Sequence, residues 1–412
     1  MISVYPFGDE LYAFTETPVI HKVNVQSLDT EGRVNLAEHI AIVNHTSHPH
    51  VLNDGTVFNL GMSVHATGPH HIIACFYKDK TNPDKTMFEN AKVVASVPAR
   101  WPFNPSYMHS FGITENFFVI AEQPLCVSVM GLVGTKIKNE PLAGCFRWYH
   151  EEYTRICLLS RKTGKLTHVF YAEAFFYLHF INQYEDNGHV ILDICIYRDP
   201  SMLDCMYVDT MKAMQQNPNY AKMFRGRPAR FVLPLNTDPM KSYTGDNLVK
   251  LNGTKAKAFY LQNGDILVKP QKLCNLGCET PTINYEIHLG KPYRYFYAIS
   301  SDVDADNPGT VIKVDTLSNT TKTWSEINCY PSEPIFVPRP NSRFEDDGVV
   351  LTAMVWGEDD TNHVGLLILD AVTFIELGRA EFRTPSPVPK CLHGWFLPQS
   401  QKEGKIENSE IK

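Results

Sequence analysis

Apolar residues along this chain fall into short runs, several of them led by a tight-turn dipeptide. NDGTVFNLG at 53–61, EDNGHVILDICIY at 185–197, QNGDILVK at 262–269 and EDDGVVLTAMVW at 345–356 share this form. Asp-Gly and Asn-Gly adopt the positive φ that hairpin turns need, so each run predicts a turn feeding a strand. NFFVIAE at 116–122, RICLLSRKTGKLTHVFYAE at 155–173 and HVGLLILDAVTFIELGRAEF at 363–382 supply partner strands. The chain therefore reads as all-β, and antiparallel hairpins repeated over 412 residues predict a propeller or a large barrel.

One segment has a different period. Between Asp199-Pro200 and Asn217-Pro218, the apolar residues Leu203, Met206, Tyr207, Met211 and Met214 recur at helical spacing, which predicts a helix over Ser201–Met214 packed on the sheet. No linker-like run precedes residue 398, so 1–398 reads as one domain and the polar stretch 399–412 as a disordered tail.

Composition narrows the class. With 43% hydrophobic and 20% charged residues, the chain can bury a large core. A net charge of -7 without any basic block excludes a nucleic-acid partner. No run approaches the roughly 20 apolar residues of a membrane span, and MISVYPFGDELYAF has neither region of a signal peptide, so a cytoplasmic protein is expected. The ten cysteines are irregularly spaced and read as buried reduced thiols. Cys274 and Cys278 lack the second pair that a zinc site needs.

Among 16 histidines, four stand where a loop meets a strand-like run: His48 in SHPH, His109 in PSYMHSFGIT, His179 in FYLHFINQYED and His393 in CLHGWF. A propeller aims such positions at its axis, and converging imidazoles suit iron, zinc, copper or nickel. Spacing by itself favours ordinary structural histidines over a metal site. His50 reads as structural. His21, His45, His65, His70, His71, His150, His189, His288 and His363 give no ligand signal.

Taken together, the strings HPHVLNDGTVFNLG, PSYMHSFGITENFFVI, LHFINQYEDNG, TPTINYEIHLGKPYRYFYA, EPIFVPRP followed by EDDGVVL, and LHGWF resemble, in order, the carotenoid cleavage oxygenases. That family includes carotene dioxygenases, apocarotenoid oxygenases, a retinoid isomerase and insect isomerooxygenases. The resemblance runs from VYPFGDELYAFTET to about residue 398. It implies a seven-bladed β-propeller with a helical and loop cap over an iron axis. It implies Fe(II) held by His48, His109, His179 and His393, with Glu16, Glu279 and Glu333 orienting the imidazoles. Family members carry further sequence ahead of the FTET strand, so the resemblance also implies an incomplete closing blade and an open edge.

The implied partners are a carotenoid or retinoid, O2 and a membrane surface. For the last, PLCVSVMGLVGTKIK at 124–138 is expected to expose Leu125, Val127, Met130, Leu132 and Val133 near Lys136 and Lys138, with a buried hairpin as the alternative. Three activities remain open at this point. The first is a dioxygenase cutting a polyene double bond into aldehydes, such as retinal from β-carotene, with or without trans-to-cis isomerisation. The second is an isomerohydrolase of retinyl esters, and the third is a silent carotenoid-binding protein.

Overall fold

The computed structural model describes residues 3–237 and 245–398. The expected tail at 399–412 lies outside the described residues. Six sheets of four or more strands follow one another along the chain as the blades of a β-propeller. The first is a meander of Ser3–Phe7, Glu10–Phe14, Val19–Val23 and Thr30–Asn35. The second centres on the hairpin Val57–His65 and Gly68–Phe76, flanked by Lys92–Pro98 on one side and by Asn44–His45 and His50–Val51 on the other.

The third blade joins Gly112–Ile113, Phe117–Glu122, Thr154–Ser160 and Leu166–Ala172. A later hairpin, Lys257–Tyr260 and Ile266–Lys269, extends it through a single parallel pairing of Tyr171 with Leu267. The fourth blade holds Phe176–Asp186, His189–Tyr197, Arg227–Pro234 and Gln271–Lys272, and the fifth holds Glu279–Thr282, Tyr295–Ile299, Val311–Asp315 and Thr320–Trp324. The sixth holds Cys329–Pro331, Gly348–Trp356, His363–Asp370 and Glu376–Arg383, with Ile335–Pro338 also paired to Gly348–Trp356.

The turn chemistry behaves as the sequence predicts at Gly55, Gly188 and Gly264, which have positive φ, whereas Gly348 does not and instead begins a strand, paired with Pro338. Asn187 and Gly188 both have positive φ, 44° and 74°, as the tight turn between Phe176–Asp186 and His189–Tyr197 requires. Apolar packing then links each blade to the next. Phe7, Phe14, Val57 and Ile72 join the first to the second, and Leu60, Ile73, Phe118 and Ile120 join the second to the third. Val119 and Ile156 meet Leu192 and Phe231 between third and fourth. Cys195 meets Phe296 and Ile312 between fourth and fifth, and Tyr297 and Val311 meet Val350 and Leu367 between fifth and sixth. Among the described residues, no such cluster joins the sixth blade to the first.

Three details depart from expectation. The segment from Ser201 to Met214 is not one helix: a 3-10 turn, Pro200–Met206, gives way at the extended residue Tyr207 (ψ 135°) to the short helix Val208–Ala213. The residues buried there are Met202 and Cys205, while Met206 and Met211 face solvent, so the apolar spacing does not mark a continuous buried face. In the segment 124–138, Leu125 lies in strand Leu125–Val127 and is buried in a cluster with Phe176, Leu178 and Tyr197; the exposed apolar residues are those of the following helix, Val129–Lys138. Finally, all ten cysteines are free and nine are buried, but Cys391 is exposed. No helix among the described residues is long and apolar enough to cross a membrane.

Strand Gly348–Trp356 shows the strict alternation of a blade packed on one side, with Val350 and Met354 buried and Leu351 and Val355 half-exposed. The neighbouring strand should therefore respond asymmetrically to truncation. Leu367→Ala, at a fully buried position, should cost about 2–5 kcal/mol in urea unfolding. Leu366→Ala, on the open face, should cost under about 1 kcal/mol.

Candidate metal centre

Each of the four histidines reaches the axis from a different part of the ring. His48 lies between Asn44–His45 and His50–Val51, and His109 precedes Gly112–Ile113. His179 lies within Phe176–Asp186, and His393 belongs to the C-terminal segment beyond the last strand. The strand bearing His179 shifts register between Tyr177 and Phe180 against its partner. Such a bulge inserts a residue and re-aims side chains, turning His179 off the plain alternation of its strand.

The structure brings the four together. Donor nitrogens of His48, His109 and His179 all lie within 4.8 Å of one another. The ring of His393 stands 4.7 Å from that of His48 and 5.2 Å from that of His179. Three of the rings have a carboxylate at Nδ1: Glu16 at 2.7 Å from His109, Glu279 at 2.5 Å from His179 and Glu333 at 3.0 Å from His393. An ionised carboxylate only accepts, so each Nδ1 carries its proton and, in the neutral imidazole, each Nε2 presents a lone pair.

Those lone pairs face inward. His48 Nε2 and His109 Nε2 are 3.0 Å apart, and the Nε2 atoms of His179 and His393 are buried with no protein partner. Leaving such acceptors unmet costs about 1–3 kcal/mol each, and a cation among them removes that cost. The donor set of neutral imidazoles with carboxylate-held Nδ1–H groups fits a divalent transition metal.

The local electrostatics support the neutral form of two rings. Burial, reinforced by the surrounding histidines, holds His48 well below its ordinary pKa. Burial also pulls His109 down to about 4, against the opposing pull of Glu16. For His179, burial acts downward but Glu279 more than offsets it, and the net direction is upward. Burial raises and the His179 contact lowers the Glu279 carboxyl, with the lowering dominant, so it stays ionised. Backbone strain accumulates here as well: Thr280, a β-branched residue next to Glu279, has φ of 47°, and its N–H donates to Glu279 Oε2 at 3.0 Å.

Two residues that sequence reasoning passed over complete the arrangement. The Tyr107 hydroxyl donates to Glu16 Oε1 at 2.6 Å and lies 2.8 Å from His109 Nδ1. The Tyr197 hydroxyl donates to Glu279 Oε1 at 2.8 Å. Tyr107 stands two residues before His109, a spacing that places both on one side of an extended segment and could have flagged it. Tyr197 is brought to Glu279 from another blade and leaves no local signal. His50, set aside as structural, donates from Nε2 to the Phe111 carbonyl and accepts from the Tyr285 hydroxyl, each at 2.9 Å.

A cavity of about 800 Å³ approaches this centre, lined among others by Leu60, Met62, Met108, Val127 and Leu132. None of the four histidines lines it. Its wall includes Tyr107, one hydrogen bond from His109 and Glu16. Exposed apolar side chains of Phe103, Met130, Val133 and Ile137 stand on segments that also line the cavity through Pro102, Val129 and Leu132.

The profile described as retinal pigment epithelial membrane protein matches residues 1–398. The chain belongs to that family, the carotenoid oxygenases. Similar relatives include the carotenoid isomerooxygenases of Galleria mellonella, 51% identical over 97% of this chain and 73% of that protein, and of Drosophila melanogaster, 46% identical over 97% and 74%. The beta,beta-carotene 15,15'-dioxygenase of Gallus gallus is 37% identical over 99% of this chain and 76% of that protein. The family is thus one of enzymes. Solved structures share the fold of this carotenoid oxygenase at low identity. A Synechocystis apocarotenoid oxygenase variant gives a TM-score of 0.69 at 21% identity over 95% of this chain and 73% of that one. The lignostilbene dioxygenase of Pseudomonas brassicacearum gives 0.68 at 17%, over 96% and 75%.

Glu279→Gln keeps the shape of the side chain but removes the charge that fixes His179 Nδ1–H. Metal retention, measured by competition with a chelator, should weaken roughly 10–100-fold. Tyr197→Phe should have a smaller effect in the same direction.

Proposed function

We propose that this carotenoid oxygenase holds Fe(II) with His48, His109, His179 and His393 and cleaves a polyene double bond of a carotenoid with O2, giving aldehydes. The observation that carries the reading is the inward convergence of imidazole Nε2 atoms, with His48 and His109 at 3.0 Å and the other two buried without partners. When bound, the iron supplies oxygen activation. The protein supplies the rest. Glu16, Glu279 and Glu333 hold the Nδ1 protons and so fix each ring's tautomer and direction, while Tyr107 and Tyr197 hold two of those carboxylates. No carboxylate belongs to the proposed ligand set.

In this reading the cavity accommodates the polyene, and Tyr107 joins its wall to the metal centre. Coupled trans-to-cis isomerisation is part of this reading, favoured by 51% and 46% identity to proteins named isomerooxygenases. The same reading includes a seventh blade closing the ring between the sixth and first blades. No core cluster joins those two blades among the described residues, and on the sixth blade Leu351 and Val355 are half-buried and Leu366 is exposed.

Membrane contact is peripheral. Phe103 and Met130 are each 74% exposed and Ile137 80%, a patch suited to dip among lipid headgroups beside the cavity from a cytoplasmic protein. Lipophilic substrate could then pass into the cavity without crossing water.

Purified protein should contain about one iron per chain by elemental analysis, and His179→Ala should lose it. Aldehyde formation from β-carotene should require O2. Aldehyde-free conversion of a retinyl ester without O2 would replace the oxygenase reading by an isomerohydrolase, and bound iron without turnover would leave a carotenoid-binding protein. Separately, Met130→Glu with Ile137→Glu should reduce co-sedimentation with lipid vesicles while leaving metal content unchanged.

A further inference from the structure

The donor nitrogens of the metal centre are closely enclosed. His109 is fully buried, the Nε2 atoms of His179 and His393 are buried, and none of the four histidines lines the cavity. Exchange of an ion at such a centre needs part of the shell to move, and the part that moves is the one held least.

Three of the rings stand on well-anchored backbone. His179 lies within Phe176–Asp186, a strand paired along His189–Tyr197. His109 is flanked by Tyr107, whose N–H donates to the Leu125 carbonyl, and by Ser110, whose hydroxyl donates to the Leu178 carbonyl at 2.5 Å. His48 donates its N–H to the Thr46 hydroxyl at 3.3 Å, and the Thr46 N–H donates to the Leu60 carbonyl at 2.9 Å.

His393 is held differently. Thr384 donates its N–H to the Asn362 carbonyl, but beyond it residues 385–398 make no backbone–backbone hydrogen bond among the described residues. Residues 385–392 are all exposed, and Pro385, Pro387 and Pro389 have no N–H with which to join a sheet. The far end of this strap is held by side chains. Glu333 accepts from the Gly394 N–H at 3.0 Å beside its contact with His393 Nδ1. Trp395 lies between Tyr5 of the first blade, 5.1 Å away between ring centres, and Tyr285, 6.3 Å away.

We propose that the strap 385–398 is the gate of the metal centre: His48, His109 and His179 form a fixed cup of three nitrogens, and Trp395 latches the strap so that His393 closes over it. The inference rests on the proposed ligand set and adds the order in which that set assembles. Three prolines within five residues keep the run extended and stiff, so it turns as one piece about Thr384. Trp395 acts through His393 and is a positioning residue; losing it makes the shell open more often without changing the donor set.

The test loads the full chain with Fe(II) under nitrogen and follows its release to an excess of a chromogenic Fe(II) chelator. Trp395→Ala should speed release about tenfold, and Trp395→Phe, which keeps an aromatic face, should stay near the wild-type rate. His393→Ala should still bind one iron and release it faster than the wild type, and adding Trp395→Ala to it should change the rate no further. Hydrogen exchange read by mass spectrometry needs no variant and serves if Trp395→Ala fails to fold: iron loading should slow exchange in peptides from 385–398 more than in those from 176–186. Release from Trp395→Ala at the wild-type rate, or equal acceleration by that change in the His393→Ala background, would overturn the latch. A His393→Ala protein that holds no iron, or protection no greater in the strap than in 176–186, would overturn the gate. Absence of iron from the wild type would overturn it together with the proposed function.

Discussion

The structure depends on placing several unprotonated imidazole nitrogens against one another inside a protein. At 3.0 Å, the Nε2 atoms of His48 and His109 repel unless a cation or a proton lies between them. Folding can pay that cost only if each ring is held from behind. Glu16, Glu279 and Glu333 do so at Nδ1, and Tyr107 and Tyr197 hold two of these carboxylates in turn. The orientation of the rings therefore depends on a shell drawn from the first, third, fourth, fifth and sixth blades and the C-terminal segment.

A propeller suits this task because its blades are packed pairwise and deliver their inner strands to a common axis. The five inter-blade cores make a rigid frame from largely local hairpins. Local irregularities then adjust the chemistry. The bulge around His179 and the positive φ of Thr280 sit on adjoining blades at the two ends of one hydrogen bond, where regular strands would not present both side chains to each other.

The cavity relates this polar centre to an apolar surface. Val129–Lys138 shows Met130 and Ile137 to solvent while Val129 and Leu132 line the cavity, so one helix serves both. The cavity wall is mostly apolar but also carries Asn44, His45, Thr46, Thr67, His71, Ser106 and Tyr107. Of these, Tyr107 lies 2.8 Å from His109 Nδ1, and His45 Nδ1 is 2.7 Å from the Thr46 carbonyl oxygen.

The sequence by itself determined the strands and turns, because period-2 alternation and Asn-Gly or Asp-Gly turns act over a few residues. It also marked His48, His109, His179 and His393 through motifs spread over the chain. It did less well where packing overrides spacing. The helical period at Ser201–Met214 ends at the extended Tyr207, and Leu125 is buried in a cluster with Phe176, Leu178 and Tyr197, distant in sequence. Tertiary structure alone decided that Tyr197 supports Glu279, 82 residues on. The physical reason is the same in each case: strand identity is set by neighbours along the chain, whereas hydrogen-bond partners and burial are set by which blades meet.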